Sequence, residues 1–314
     1  MNRSVFWLLW CFACAGTSPQ KNLESDSAAG LIATEDSGVS VESTDPPDDV
    51  PDEPDPCDGV DSAEDSFEPP ADCPDGRCEV PTGPFTMGSF EGYRDECPAR
   101  TVTLDAFGID QTEVTWSRYE ACVAAGTCEA PPEHCRDWVQ TLGAVDNRPV
   151  TCVTWDRADA FCRYEGGRLP TEAEWEKAAR GTTGSKWPWG SFPPNCEITN
   201  YRFVAWYCEP GVVSVGQYLN ESIYGAQDMA GNAWEWVADH YDAEWYRQGE
   251  DENPLGPTEE CRPSESAPAE PCIDRGLRGG AYNSTASNIR GAARSFARPG
   301  RVDKNIGFRC AYSP

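Results

Sequence analysis

Residues 167–181 read GRLPTEAEWEKAARG, a helix whose two ends are both written into the sequence. Thr171 can accept from the backbone of Glu174 while Glu174 reaches back to Thr171, a capping box that satisfies orphan amide donors of the first turn. Glutamates fill that turn, Lys177 and Arg180 fill the last, and Gly181 follows at the stop, each matched to the helix dipole. The carboxylates of Glu172, Glu174 and Glu176 are therefore expected to serve the dipole and surface pairs. Two more helices read outward from this one. TWSRYEACVAAG (115–126) is capped by Thr115 and stopped by Gly126, and WDRADAFCRYEGG (155–167) is capped by Asp156, with Ala158, Phe161 and Cys162 on one face. RTVTLDAFGID (100–110) and PVTCVTW (149–155) alternate as strands do, whereas 182–224 and 242–275 read as Gly- and Pro-rich loops. Ten of the 12 tryptophans fall between Trp116 and Trp245, and no fixed period repeats. One loop-heavy domain over 81–314 is expected, with rigidity drawn from disulfides or metal.

The N-terminal quarter is a different material. MNRSVFWLLWCFACAGTS has one arginine, an apolar run from Val5 to Ala13, and then small residues. That is the pattern of a signal peptide over 1–16, too short to span a bilayer. Within it CFAC resembles a bacterial lipobox, with Cys14 as the lipidated thiol and Cys11 where an aliphatic residue is usual. An exported chain, lipid-anchored in the cell envelope or secreted if Cys14 stays unmodified, is the expectation. From Thr17 to Val80 there are 19 Asp and Glu against Lys21 and Arg77, in a chain of net charge -28. With Phe67 as its one aromatic residue, the stretch 17–80 cannot bury enough apolar surface to order itself and is expected to be a disordered acidic tether. Its carboxylates lack the regular offsets of a calcium loop, and the acidity argues against nucleic acid as a partner. Two of the 16 cysteines sit in the leader; the even remainder in an exported chain reads as a disulfide framework. Zinc is disfavoured, because paired CxxC knuckles are lacking and histidine is limited to His134 and His240.

In chain order, GPFTMGS (83–89), EVTWSRY (113–119), PVTCVTWDRADAFC (149–162), the capped helix, WPWG (187–190), YGAQDMAGNAWEWVADHY (224–241), RGGAY (278–282) and NIGFRC (305–310) together resemble the sulfatase-modifying factor family, whose named member is the formylglycine-generating enzyme. The resemblance covers 81–313 and implies an α+β fold, the formylglycine-generating-enzyme fold, a C-type lectin-like variant with few regular elements and many loops. It implies calcium at QDMAGNAWEW, where Asp228, the carbonyls of Gly231 and Ala233, and Glu235 are hard oxygen donors. The plainer alternative has Asp228 and Glu235 capping and pairing while Trp234 and Trp236 fill core. A second family calcium site would begin at Asn200 and Tyr201, but its later carboxylate has no counterpart between Val204 and Val215. A family disulfide maps to Cys162 with Cys310, and a second one maps to Ala179 and Gly291, neither of which is cysteine.

The family's catalytic cysteine pair lies just after GGxY, where its thiolates bind copper(I) and oxygen oxidises a substrate cysteine. In RGLRGGAYNSTASNIRGAARS (275–295) Ser284 stands at the first position, and the second falls in a stretch about three residues shorter that has no cysteine. A hydroxyl does not replace a copper-binding thiolate, so copper is not expected. As a nucleophile Ser284 would need a base from His134 or His240, and the family's iron branch needs three histidines where this chain has two. The expectation is a pseudoenzyme: a noncatalytic binding or structural module, stabilised by calcium and disulfides, that takes an extended peptide or protein segment along Tyr282–Arg294. Arg290, Arg294 and Arg298 are the candidate grips. The alternatives are a formylglycine-generating-type oxidoreductase acting on protein cysteine and a calcium-dependent lectin-like binder. Proximity adds the bridges Cys122–Cys128, Cys135–Cys152, Cys196–Cys208 and Cys261–Cys272.

Overall fold

The computed structural model describes Cys57, Gly59, residues 71–257 and residues 273–314. All of them belong to the unit Glu53–Pro314. The stretch read as a signal peptide, Cys14, and the expected Cys261–Cys272 pairing lie outside the described residues. The elements are β1 (Arg77–Val80), β2 (Gly83–Met87), β3 (Arg100–Leu104), β4 (Phe107–Asp110), α1 (Trp116–Ala124), α2 (Glu133–Thr141), α3 (Trp155–Tyr164), α4 (Glu172–Arg180), β5 (Arg202–Phe203), β6 (Trp206–Tyr207), β7 (Trp234–His240), α5 (Trp245–Gln248), β8 (Arg275–Arg278), β9 (Arg294–Ala297), β10 (Ile306–Gly307) and β11 (Ala311–Tyr312).

β1 and β11, from opposite ends of the domain, both pair antiparallel with β4. A second sheet has the order β10-β7-β8-β9, with β10 parallel to β7 and the other pairs antiparallel. β2 with β3 and β5 with β6 complete the ladders. One core gathers Trp116, Tyr119, Phe161, Trp236 and Phe308; the other gathers Phe85, Leu104, Phe107, Trp175 and Tyr246. α4 packs on β2, β3, β7 and β8, and every residue from Glu172 to Arg180 is buried.

The capping box of α4 forms as read, with Glu174 N donating to Thr171 Oγ1 at 3.1 Å and Thr171 N donating to Glu174 Oε2 at 2.8 Å. Thr115 caps α1. The cap of α3 is Thr154 rather than Asp156, which sits in the first turn. Both residues can cap; Trp155 N donates to Pro299 O and fixes where the helix begins. PVTCVTW is not a strand, because Cys152 turns through φ 61° and gives its N–H to Asp303 O. α2 was not legible as a helix, and its N-cap position is Pro132, which makes no side-chain cap.

The boundary expected at 81 needs correction. β1 precedes it, Ala71 N donates to Ile223 O, and Cys57 is bonded to Cys97, so the folded domain takes in part of the acidic stretch 17–80. Cys73–Cys78, Cys122–Cys128, Cys135–Cys152, Cys162–Cys310 and Cys196–Cys208 are the other bridges among the described residues. No helix among them is long and apolar enough to cross a membrane.

Candidate functional site

The segment that follows β8 is held by its backbone. Gly279 and Gly280 turn at φ 88° and 73°, a region open to glycine, and a side chain on Gly280 would run into Ile289. Ser284 is buried: its Oγ accepts from Ala281 N at 3.0 Å, its N donates to Ala281 O and its O accepts from Arg202 N. These bonds make it a turn residue, and none of them goes to a histidine. His240 sits in β7 opposite Arg275. Gly291 donates to Lys186 O, and a Cβ there would collide with Arg180 Cγ. At this position, where the resemblance puts one end of a bridge, the side chain of Arg180 lies instead.

Two of the three arginines expected to grip a partner, Arg290 and Arg294, are engaged inside the protein. Arg290 makes a fork with Glu96 at 2.6 Å on both nitrogens. Arg294 pairs with Glu172 through Nε at 2.8 Å and Nη2 at 2.9 Å. Arg298 is exposed and pairs with Asp274 at 3.3 Å. Arg278 bridges Glu172 and Glu176, and Glu176 also takes Arg180 at 2.5 Å and the Tyr246 hydroxyl at 2.9 Å. Burial works against the charged form of Glu176, but Arg278 and Arg180 outweigh it and hold the carboxyl below its usual range. The surface role expected for Glu172 and Glu176 is thus replaced by a buried ion network. Sequence offered one signal for it, the arginines concentrated at 278, 290 and 294 of an acidic chain.

Beside this segment lies an aromatic surface. Tyr282 is 6.3 Å from Trp138 and 6.4 Å from Tyr207, ring to ring. Phe203, Trp206 and Tyr207 of the β5–β6 pair are 42%, 61% and 51% exposed, and Cys196–Cys208 staples the stretch that carries them.

The QDMAGNAWEW block turns through Asp228, Gly231 and Asn232 at φ 57°, 90° and 60° before entering β7. A Cβ on Gly231 would strike Asn200 O, which explains the glycine. Asp228 Oδ2 accepts from Gly216 N at 2.6 Å and Oδ1 from Asn220 at 3.2 Å. Glu235 accepts a fork from Arg309 at 2.7 and 2.8 Å and the Trp175 indole N–H at 2.8 Å. Trp236 fills core and donates to Val153 O. Glu113 joins the cluster by accepting from Asn232 at 2.9 Å; burial, then Asp228 and Glu235, push its carboxyl far up. Asn200 Oδ1 is a buried acceptor with no hydrogen-bond partner, a feature that a hard cation would satisfy. The two carboxylates of the calcium shell expected at Asp228, Gly231, Ala233 and Glu235 also accept protein hydrogen bonds, Asp228 from Gly216 and Asn220 and Glu235 from Arg309 and Trp175. Those bonds are the pairing of the plainer alternative, and the Asn200 acceptor beside them is left for a cation.

Residues 63–314 match the sulfatase-modifying factor enzyme 1-like domain. The chain is similar to the formylglycine-generating enzyme of Streptomyces coelicolor, 32% identical over 294 residues that cover 75% of this chain and 88% of the relative. It is also similar to the serine/threonine-protein kinase Pkn1 of Chlamydia trachomatis, 32% identical over 249 residues, 73% of this chain but 37% of the kinase. Among solved structures, PvdO from Pseudomonas aeruginosa superposes with a TM-score of 0.57 at 22% identity, covering 76% of this chain and 94% of that one.

Proposed function

We propose, given that the chain belongs to the sulfatase-modifying factor family, that it is an exported, lipid-anchored member whose domain is a noncatalytic binding or structural module. Its fold is the α+β fold of that family, a C-type lectin-like variant with few regular elements and many loops. One observation carries the noncatalytic reading: between Cys272 and Cys310 there is no cysteine and no methionine, so the segment offers copper(I) no soft ligand. Two contacts support it. The Ser284 hydroxyl oxygen accepts from a turn amide, and Arg180 lies against Gly291. The surface on offer runs along Tyr282 and the exposed rings of Phe203, Trp206 and Tyr207, which suits an extended peptide or protein segment. The rigidity of the scaffold is assigned to its disulfides, to the Glu235–Arg309 pair and to calcium at the Asp228–Glu235 turn; a purified chain that takes up no calcium would remove the metal from that role.

The test supplies the family chemistry in full. The purified chain is incubated with copper(I), oxygen and a CxPxR peptide, and the peptide is examined by mass spectrometry. The cysteine is expected to be recovered as thiol or disulfide. A formylglycine product would overturn the proposal and restore the oxidoreductase alternative.

A further inference from the structure

Beside Gly291 lies a cavity of about 100 Å³ lined by Ser89, Arg180, Gly184, Lys186, Ser191, Arg290 and Ala292, with the carboxylate of Glu91 as its one acidic side chain. It holds roughly three waters' worth of volume, the size class of a tetrahedral oxyanion. Three cationic side chains reach it from three stretches: Arg180 from the end of α4, Lys186 from the loop that follows, and Arg290 from the segment after β8.

Their donors are only partly used. A guanidinium has five N–H groups and an ammonium three. Arg180 gives Nε to Ser185 O, Nη1 to Gly88 O and Glu176, and Nη2 to Gly184 O, which leaves one Nη2 hydrogen. Arg290 gives Nε to Ser287 O and one hydrogen from each terminal nitrogen to Glu96, which leaves one on each. Lys186 gives one to Glu91 at 3.1 Å. Charge points the same way, since the buried ion pairs within α4 and from α4 to β8 and β9, together with Arg290–Glu96, set four arginines (Arg180, Arg278, Arg290 and Arg294) against three carboxylates (Glu96, Glu172 and Glu176). Arg180 and Arg290 are the two of these arginines that line the cavity.

We propose that this cavity binds a small oxyanion, the chemistry shared by phosphate, sulfate and a carboxylate group. Arg180 and Arg290 are the fixed donors, held in place by their buried partners. Lys186 is the adjustable one: its side chain is 41% exposed and that of its partner Glu91 51%. An exposed pair of that kind contributes little, so an incoming anion can take Lys186 from Glu91. The site uses the space where the resemblance puts a second bridge, because Gly291 leaves room for the Arg180 stem. It stands whether or not the aromatic surface takes a peptide, and its test contains no peptide.

The purified, disulfide-intact chain is titrated calorimetrically with inorganic phosphate, sulfate and acetate at constant ionic strength, with chloride as the control. Saturable binding of at least one oxyanion beyond chloride is expected. Lys186→Ala should weaken it about tenfold, the value of one charge-assisted hydrogen bond. Glu91→Gln should strengthen it about threefold by removing the competing carboxylate. Both changes touch half-exposed side chains, and an unchanged melting temperature without anion shows that each variant is folded. A preference for acetate assigns the cavity to a carboxylate on a partner, and a preference for phosphate or sulfate assigns it to the free ion; either order supports the site. A response no greater than that to chloride, or oxyanion binding that neither substitution moves, overturns the proposal.

Discussion

Asp239 is fully buried beside the first turn of α4, where its Oδ2 accepts from Glu172 N at 2.8 Å. Burial, and then the neighbouring Glu172 carboxylate, push its pKa up from 3.8 to about 8. The sign follows from which state holds the proton. An acid whose folded-state pKa lies above its unfolded value is protonated more readily in the fold, so its contribution to stability is fully present below about pH 4 and is lost as pH rises through 8. Asp239→Asn keeps a side-chain oxygen for the Glu172 amide and removes the titration. Between pH 5 and pH 8 the variant should therefore gain on the parent, by up to about 1.4 kcal/mol per pH unit. Denaturant unfolding of both proteins at three pH values measures this, and parallel pH dependences would show that Asp239 does not carry the proton.

At the scale of elements, Glu235 connects β7 to α4 through Trp175 and to the stretch entering β11 through Arg309. Glu235 and Arg309 are both fully buried, so removing one leaves the other as an uncompensated charge. Arg309→Met should cost about 3–5 kcal/mol, while adding Glu235→Gln to it should recover a large part. Equal melting temperatures for the single and double variants would mean that the pair is not coupled. What sequence revealed about such elements divides by range. The Thr115 cap of α1, the capping box of α4 and the glycine stops of both were legible because their signals lie within one turn. The inward face of α4 was not, because glutamates spaced along a helix look the same whether they meet water or arginines some hundred residues away, as Glu176 meets Arg278. For the same reason Asp228 and Glu235 could be read as calcium ligands. Their residue types suit the metal, and only the fold places Arg309 on Glu235 and Gly216 and Asn220 on Asp228. The missing thiols at 284 and 291 were legible outright, but the turn amide that bonds the Ser284 hydroxyl oxygen and the arginine lying on Gly291 needed coordinates.

Over the whole molecule, sulfur is absent from the segment where the resemblance puts catalysis and abundant in crosslinks. Cys162–Cys310 ties α3 to the stretch entering β11 across a sequence separation of 148, whereas Cys122–Cys128 closes a separation of 6 at the end of α1. If crosslinks act mainly by restricting the unfolded chain, stabilisation grows with the logarithm of loop length, and these two bridges should differ by about 3 kcal/mol. The comparison is a fair one, because all four cysteines are buried, with Cys128 the most exposed at 9%, and removing either pair costs similar packing. Cys162→Ala/Cys310→Ala should accordingly lose about 5 kcal/mol and Cys122→Ala/Cys128→Ala about 2, read from guanidinium unfolding with the remaining bridges oxidised. Losses that agree within about 1 kcal/mol, well inside the expected gap, would mean that the long bridge acts through local native packing, and the domain's rigidity would then have to be credited to its buried ion pairs instead.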